Sequence, residues 1–262
     1  MKPDYKNWMP KGMIYAFLGA TVAALALCLV TGCTGLLAAG TLKTALTVAF
    51  AILTAIFCGL TVWSILMYRA FSYNGKRRMS AQIIEGTAAR VMLPSGGKCL
   101  DVGCGSGALA IAVTKHNPEA QVIGIDRWGA EYASFSRALC ERNAKAEGVR
   151  NTAFQQGDAT HLDFPDGTFD AVVSNYVYHN IPGDRQDYLL ETLRTLKKGG
   201  TFALHDIFSK SKYGDMQAFV RKLRDMGYQK VELIDTTNGK FMTRFEAGWM
   251  ALSGSALLTG IK

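Results

Sequence analysis

The sequence has few residues that could build a metal site or a disulfide framework. Its 262 residues include four histidines and six cysteines. No two cysteines form a Cys-x-x-Cys pair, and no histidine stands near a cysteine at the spacing of a zinc site. We therefore expect reduced thiols and no bound metal, which is the usual state of cysteines in a cytosolic domain.

Charge is missing from two long stretches near the amino terminus. No charged residue occurs in residues 12–42 or in residues 44–68, and both stretches are rich in Ala, Leu, Val and Ile. Each supplies the roughly 20 apolar residues that a membrane span needs. The sequence thus predicts a transmembrane helical hairpin, with helices at about 13–30 and 45–67, in a membrane anchor over residues 1–72. A cleaved signal peptide is an alternative interpretation of the first stretch.

The rest of the chain lacks a surplus of basic charge. The formal net charge of the protein is +8, of which residues 1–80 carry +7 and residues 81–262 carry +1. A nucleic-acid enzyme has basic residues clustered on its folded domain, so we expect no nucleic-acid partner. The basic residues flank the hairpin on one side, which predicts a protein of the cytoplasmic membrane with both termini and the folded domain on the cytoplasmic face.

Short apolar segments alternate with helical patterns in the folded domain, residues 73–262. This alternation predicts an α/β fold with a doubly wound, mainly parallel sheet, whose ligands bind outside the carboxyl ends of the strands. The predicted helices lie at about 80–92, 108–116, 130–147, 184–196 and 215–226. The predicted strands lie at about 99–102, 121–125, 152–155, 169–174, 201–205, 230–235 and 255–261.

The first strand ends in a glycine-rich turn, residues 103–107 (Gly-Cys-Gly-Ser-Gly), in which Ser106 is expected to cap the next helix. Such a turn before a helix is typical of nucleotide-binding sites. With Asp126 after the second strand, the turn fits a dinucleotide site loosely. Asp101, just before the turn, favours S-adenosylmethionine instead, because a negative charge attracts a sulfonium and an ammonium group and repels a pyrophosphate.

Five segments resemble those of class I S-adenosylmethionine-dependent methyltransferases, in particular the small-molecule, quinone-methylating branch. They are residues 100–107 (LDVGCGSG), 124–126 (GID), 157–159 (GDA), 169–175 (FDAVVSN) and 196–202 (LKKGGTF). The resemblance covers about residues 81–262 and leaves out the hairpin. It implies a seven-stranded Rossmann-like sheet whose last strand is antiparallel and lies between the fifth and sixth strands.

The resemblance also implies roles for the motif residues. Asp101 lies near the methionine end of the cofactor, Asp126 binds the ribose hydroxyls, and Asp158 flanks the adenine. Arg127 or Trp128 covers the adenine face. The complete implied set of cofactor-binding residues is Asp101, Gly103, Cys104, Gly105, Ser106, Gly107, Asp126, Arg127, Trp128, Gly157, Asp158, Ala159 and Asn175.

Two histidines are candidates for a catalytic base. His179 follows the fourth strand and His205 ends the fifth, and an unperturbed imidazole titrates near neutrality, which suits a base. A base is needed only where the acceptor must lose a proton, so each histidine has a structural interpretation as well. Residues 174–177 read Ser-Asn-Tyr-Val, whereas methyltransferases that act on exocyclic amines of bases or amides resemble one another in an Asn/Asp-Pro-Pro-Tyr run. This departure argues against nucleic-acid and glutamine acceptors.

The leading hypothesis is a membrane-anchored methyltransferase with a small, hydrophobic or lipid-borne acceptor, because an anchor raises the effective concentration of such molecules near the site. One alternative is a membrane sensor or scaffold that binds S-adenosylmethionine without catalysis. Another is an NAD(P)-dependent oxidoreductase, which would use the same glycine turn.

Overall fold

The computed structural model of the protein describes residues 2–129 and 134–262. Its contacts divide the chain into two compact units. One unit is Asn7–Ser80, and the other is Ala81–Lys262 together with the segment up to Lys6.

Two long apolar helices, α1 (Lys11–Cys33) and α2 (Thr41–Phe71), make up most of the first unit. Both are long and apolar enough to cross a membrane, and each extends beyond both of its predicted ends. The hydroxyl oxygens of Thr21 and Thr61 lie 3.2 Å apart, so a hydrogen bond joins the two helices. Such side-chain bonds hold helices together where the surroundings are apolar.

The second unit is built on a seven-stranded sheet. Its strands are β1 (Lys98–Val102), β2 (Gln121–Asp126), β3 (Thr152–Gln156), β4 (Phe169–Asn175), β5 (Leu196–Ile207), β6 (Gln229–Asp235) and β7 (Ser255–Ile261). They lie in the order β3-β2-β1-β4-β5-β7-β6, and β7 is antiparallel to both of its neighbours. The predicted fold class is therefore confirmed, including the implied position and direction of the last strand.

Helices are present in each of the five predicted regions, and two short helices, at 210–213 and 244–249, are additional among the described residues. They are α3 (Met79–Ala88), α4 (Ala108–His116), α5 (Arg137–Ala146), α6 (Arg185–Arg194), α7 (Lys210–Tyr213), α8 (Met216–Asp225) and α9 (Arg244–Trp249), and a 3₁₀ turn spans Tyr178–Asn180. Leu100, Val172 and Phe202 of the central strands are fully buried. Apolar strands of this kind form a parallel sheet whose faces are covered by helices.

The strand register gathers the carboxyl ends of β1, β2, β4 and β5 at one edge of the sheet. Val102 lies opposite Ile125 on one side and Ser174 on the other, and Asn175 lies opposite His205. The loops that leave these strands therefore form one continuous surface, which is where an open α/β sheet binds its ligands.

Two predictions about helix starts are wrong. Gly107, not Ser106, is the N-terminal boundary residue of α4, because Gly107 adopts a left-handed φ of 80° and no side chain caps the helix. The helix predicted over 130–147 begins at Arg137 in the described residues, with the Ser136 hydroxyl accepting from the Leu139 amide at 3.2 Å. Residues 130–133 of that prediction lie outside the described residues.

Two predicted helix ends are also wrong. The helix predicted over 184–196 ends at Arg194, and residues 197–200, interpreted as its terminator, belong to β5. Gly199 has a φ of 80°, so the lysine-glycine run passes through a strand irregularity instead of ending a helix. The helix predicted to reach residue 92 ends at Ala88.

Candidate active site

The glycine turn after β1 is fixed by backbone hydrogen bonds. The amides of Gly103 and Cys104 both donate to the carbonyl of Ile125, at 2.8 and 2.9 Å. Gly103, Gly105 and Gly107 all adopt positive φ angles, which side chains disfavour. Among the described residues, a Cβ on Gly105 would meet only the Phe135 ring, at 3.8 Å. The turn therefore presents open backbone to a ligand at this point.

Asp101 is a buried acid with an unused oxygen. Its Oδ2 accepts from the Ala110 amide at 2.9 Å, and its Oδ1 has no hydrogen-bond partner among the described residues. Burial, reinforced by the nearby charge of Asp126, raises the pKa of Asp101 to about 8. A buried polar atom without a partner is costly. A cationic group of a ligand would satisfy it and would stabilise the ionised carboxylate.

Asp126, at the end of β2, bonds to the glycine turn. Its Oδ2 accepts from the Gly105 amide at 2.8 Å, and its Oδ1 accepts from the Trp128 amide at 2.7 Å. The Trp128 indole in turn donates to the Gly105 carbonyl at 3.0 Å, and Trp128 has a positive φ of 45°. Trp128 thus lies beside the turn, and Arg127 is exposed.

The loop after β3 joins the same edge. The Gly157 amide donates to the Asp126 carbonyl at 3.1 Å, so it lies beside the ribose-binding candidate. The Asp158 carboxylate accepts from the amide and the hydroxyl of Thr160, both at 2.8 Å. These bonds, with the charge of Arg127, hold the pKa of Asp158 below its usual value. Asp158 is therefore a fixed, ionised acceptor.

A buried asparagine supports the turn from behind. Asn143 of α5 donates to the carbonyl of Ser106 at 2.9 Å and to the carbonyl of Asp4 at 3.0 Å. It also accepts from the Asp4 amide at 2.8 Å. Tyr5 donates to Glu147 at 3.0 Å, which attaches the same amino-terminal segment to α5. No sequence motif points to Asn143, because its partners are distant in the chain.

His179 and Asp206 form a hydrogen-bonded pair where β4 and β5 reach the edge. We call this part of the edge, where a methyl acceptor is expected, the acceptor side. The Nδ1 atom of His179 lies 2.5 Å from Oδ1 of Asp206, which is buried. Asp206 also accepts from the amides of Tyr178 and Ile207, at 2.9 and 2.7 Å. A carboxylate only accepts, so Nδ1 carries a proton, and in the neutral ring Nε2 then carries the lone pair. The imidazole is thereby oriented as a proton acceptor.

His205 occupies a different environment. It is buried, its Nδ1 lies 2.9 Å from Oδ1 of Asn175, and its Nε2 lies 3.0 Å from the Thr236 hydroxyl. Burial lowers the pKa of His205 to about 3, so the ring is neutral at physiological pH. Its ring packs against Tyr176, with centroids 4.7 Å apart. Both ring nitrogens are thus engaged, and Asn175 is held by one of them.

Asp206 directly follows His205 in the chain, but its carboxylate bonds to His179. Consecutive side chains of a strand point to opposite faces of the sheet. This alternation alone indicates that the side chains of His205 and Asp206 have different surroundings. Thr236 and Asn143 gave no comparable signal.

Known proteins are similar to this chain over the same region. Residues 100–204 match a family model described as a methyltransferase domain. The 27-O-demethylrifamycin SV methyltransferase of Amycolatopsis mediterranei (strain S699) is 28% identical over 155 residues, which are 59% of this chain and 55% of the relative. The ubiquinone/menaquinone biosynthesis C-methyltransferase UbiE of Desulfotalea psychrophila (strain LSv54 / DSM 12343) is 30% identical over 167 residues, 63% of this chain and 60% of the relative.

A solved structure is also similar. The geranyl diphosphate C-methyltransferase from Streptomyces coelicolor A3(2) aligns with a TM-score of 0.55 at 14% identity, over 74% of this chain and 83% of that one. At this identity the likeness concerns the fold. The match at residues 100–204 and the relatives show that this part of the chain is similar to methyltransferase domains. The chain spans 55% and 60% of the length of the two relatives named above.

Proposed function

We propose that the protein is an S-adenosylmethionine-dependent methyltransferase, anchored in the cytoplasmic membrane, that acts on a small hydrophobic or lipid-borne acceptor at the cytoplasmic face. One observation supports this most strongly. An open glycine turn with the unsatisfied Asp101 carboxylate and an oriented His179–Asp206 pair lie along one sheet edge. That arrangement suits a cationic cofactor on one side and a proton-losing acceptor on the other.

The residues of the cofactor side fit S-adenosylmethionine. Asp126 would hold the ribose hydroxyls while it keeps Gly105 in place, and Asp158 would accept from the adenine amino group. Asp101 would face the positive, methionine end, where its Oδ1 has a vacant acceptor position. When bound, the cofactor supplies an electrophilic methyl group. The chain contributes position and exclusion of water, which are most of what such a displacement requires.

We assign the role of proton acceptor to His179. Its Nε2 would take the proton that an acceptor hydroxyl or activated carbon loses as its new bond to the methyl carbon forms. The buried charge of Asp206 keeps Nδ1 protonated and stabilises the resulting imidazolium, as an acid does beside a histidine base. His205 has both nitrogens bonded within the protein, so we assign it the role of positioning Asn175 and Tyr176.

The membrane part of the proposal rests on α1, α2 and the charge pattern. Both helices are long and apolar enough to span, and the flanking basic residues favour cytoplasmic termini. A relative named for ubiquinone and menaquinone biosynthesis supports a lipophilic acceptor.

The proposed topology can be tested with protease. Amino- and carboxyl-terminal tags on the full chain should both resist protease in intact cells and be cleaved in inverted membrane vesicles. A tag that is cleaved in intact cells would contradict this topology.

The proposed reaction can be tested without knowing the acceptor. The full chain in detergent is incubated with methyl-labelled S-adenosylmethionine and a total lipid extract, and the organic phase is examined by mass spectrometry. We expect a labelled product in the organic phase. Cofactor binding without a product from any fraction would favour a sensor or scaffold. Binding of NAD in place of S-adenosylmethionine would favour an oxidoreductase.

A further inference from the structure

An aromatic pair on α9 is an exposed apolar feature of the folded domain that the proposed reaction does not use. Among the described residues of 81–262, the exposed large hydrophobic side chains are Met92, Met226, Phe245 and Trp249. Phe245 is 78% exposed and Trp249 is 45% exposed, and their rings stack with centroids 6.3 Å apart and an interplanar angle of 14°. They stand four residues apart on α9, so they share one face of the helix.

The short helix that presents this pair is held firmly. Thr243 and Glu246 form a reciprocal capping box, in which each side chain accepts from the backbone amide of the other. Ala247 and Met250 are buried on the side that faces the domain. The orientation of Phe245 toward solvent is therefore fixed by the fold.

The connection between β6 and β7, residues 236–254, places α9 at the sheet edge that holds the candidate site. Thr236 bonds to His205, and the Phe241 ring packs against the His205 ring, with centroids 5.4 Å apart. Tyr176 then links His205 to His179, with ring centroids 4.7 and 5.9 Å from the two imidazoles. The segment that exposes the aromatic pair thus also borders the acceptor side of the site.

Charge around the pair matches a lipid surface. Lys240 and Arg244 are exposed on the same segment, while the Glu246 carboxylate is occupied by its capping bonds. Hydrogen bonds from Thr237, with a smaller contribution from the charge of Arg244, hold the pKa of Asp235 below its usual value, so Asp235 is an acidic neighbour of Arg244. Aromatic rings flanked by lysine and arginine are typical of side chains that settle at a membrane interface.

The chain keeps this surface within reach of a bilayer. Nine residues separate Phe71, the last residue of α2, from Ala81, and they extend to at most about 30 Å. If α2 spans the membrane, Ala81 at the start of the folded domain stays within about that distance of the lipid surface, which keeps a bilayer near the domain.

We propose that Phe245 and Trp249, with Lys240 and Arg244, form a lipid-contacting surface that enters the head-group region of an anionic bilayer beside the acceptor side of the site. This inference rests on the membrane anchoring proposed above, and it would bring the acceptor side of the site close to the lipid. A second protein as occupant would leave Trp249 away from lipid, and the experiment below separates the two.

The test uses the four tryptophans of the full chain, Trp8, Trp63, Trp128 and Trp249. The protein is reconstituted in vesicles of phosphatidylcholine and phosphatidylglycerol, with or without bromine atoms in the upper acyl chains, which quench nearby indoles. Subtracting the emission of Trp249→Phe isolates Trp249, and we expect most of its emission to be lost in brominated vesicles. In a Trp249→Phe chain, a tryptophan placed by Met226→Trp should stay unquenched, because residue 226 precedes β6 at the opposite edge.

Two further variants separate the possible failures. Subtracting the emission of Trp63→Phe isolates the emission of Trp63 in α2, and its quenching reports on the membrane anchor. Quenching of Trp63 without quenching of Trp249 would overturn the lipid-contacting surface and leave the anchor in place. Absence of both would overturn the surface together with the membrane part of the proposed function, while the labelled-product assay would still test the chemistry. Phe245→Ser should reduce the quenching of Trp249, and unchanged quenching would contradict a joint role for the pair.

Discussion

Replacing Asp101 by asparagine should stabilise the cofactor-free protein and weaken its binding of S-adenosylmethionine. The buried carboxyl has a pKa of about 8 in the folded chain, against an ordinary value of 3.8. A group whose pKa is raised by folding contributes stability below its unfolded pKa, and that stability is lost as the pH rises toward the folded pKa. The wild-type protein therefore loses stability between about pH 4 and pH 8, whereas asparagine does not titrate.

The size of the effect follows from the same pKa. Each pH unit within that window costs the wild type about 1.4 kcal/mol relative to the variant. Between pH 5 and pH 7 the advantage of Asp101→Asn should grow by about 2.7 kcal/mol, or about 5–10 °C in Tm for a domain of this size. Taking a difference between two pH values cancels the pH-independent cost of the new amide.

The assay is thermal unfolding of the full chain in one detergent, without cofactor, at pH 5 and at pH 7. Glu141→Gln serves as a matched control, because Glu141 is an exposed acid of α5 paired with Arg137. The control should show almost no change with pH relative to wild type. The reasoning fails if the Tm difference between Asp101→Asn and wild type is the same at both pH values, or if it shrinks toward pH 7.

The remaining predictions concern the other side chains of the site. Asp206→Asn should lower kcat by roughly 10²- to 10⁴-fold with little change in the KM for S-adenosylmethionine, since the Asp206 carboxylate bonds to His179 and to the amides of Tyr178 and Ile207 and not to the proposed cofactor-binding residues; an equal loss with Glu141→Gln would refute a specific role. Asp126→Ala should weaken cofactor binding by about 100-fold in calorimetry, because it removes a charged acceptor worth about 1.5–3 kcal/mol for each hydrogen bond; unchanged affinity would exclude Asp126 from the ribose site. Gly103→Ala should cost about 2 kcal/mol or more, because Gly103 has a φ of 74° and the new Cβ would lie 2.2 Å from Val177; an unchanged Tm would contradict the geometry of the turn.

The features that could be predicted from the sequence are those with a local signal. The glycines of residues 103–107 and the acids at 101 and 126 lie next to apolar strands, so their place at the sheet edge follows from strand direction alone. The two apolar helices likewise follow from composition. Helix boundaries were less predictable, because the start of α5 depends on the capping hydroxyl of Ser136 and the end of α6 on tertiary packing.

The partners within the site depend on contacts between distant residues. Asp206 stands 27 positions after His179, and Thr236 stands 31 positions after His205. Residue types and periodicity indicate that such groups are near one edge, but they do not select which acid bonds to which imidazole. The exposed aromatic pair on α9 could not be predicted either, because a six-residue helix is too short to show a helical period in the sequence.

The structure of the full chain with bound S-adenosylhomocysteine tests the central claim most directly. The account predicts that both ribose hydroxyls lie within hydrogen-bond distance of the Asp126 carboxylate, that Asp101 faces the amino-acid end, and that the sulfur lies on the side of His179. The account would be contradicted by a ligand that binds away from the glycine turn. It would also be contradicted by a ligand whose sulfur lies on the side of the sheet edge opposite to His179.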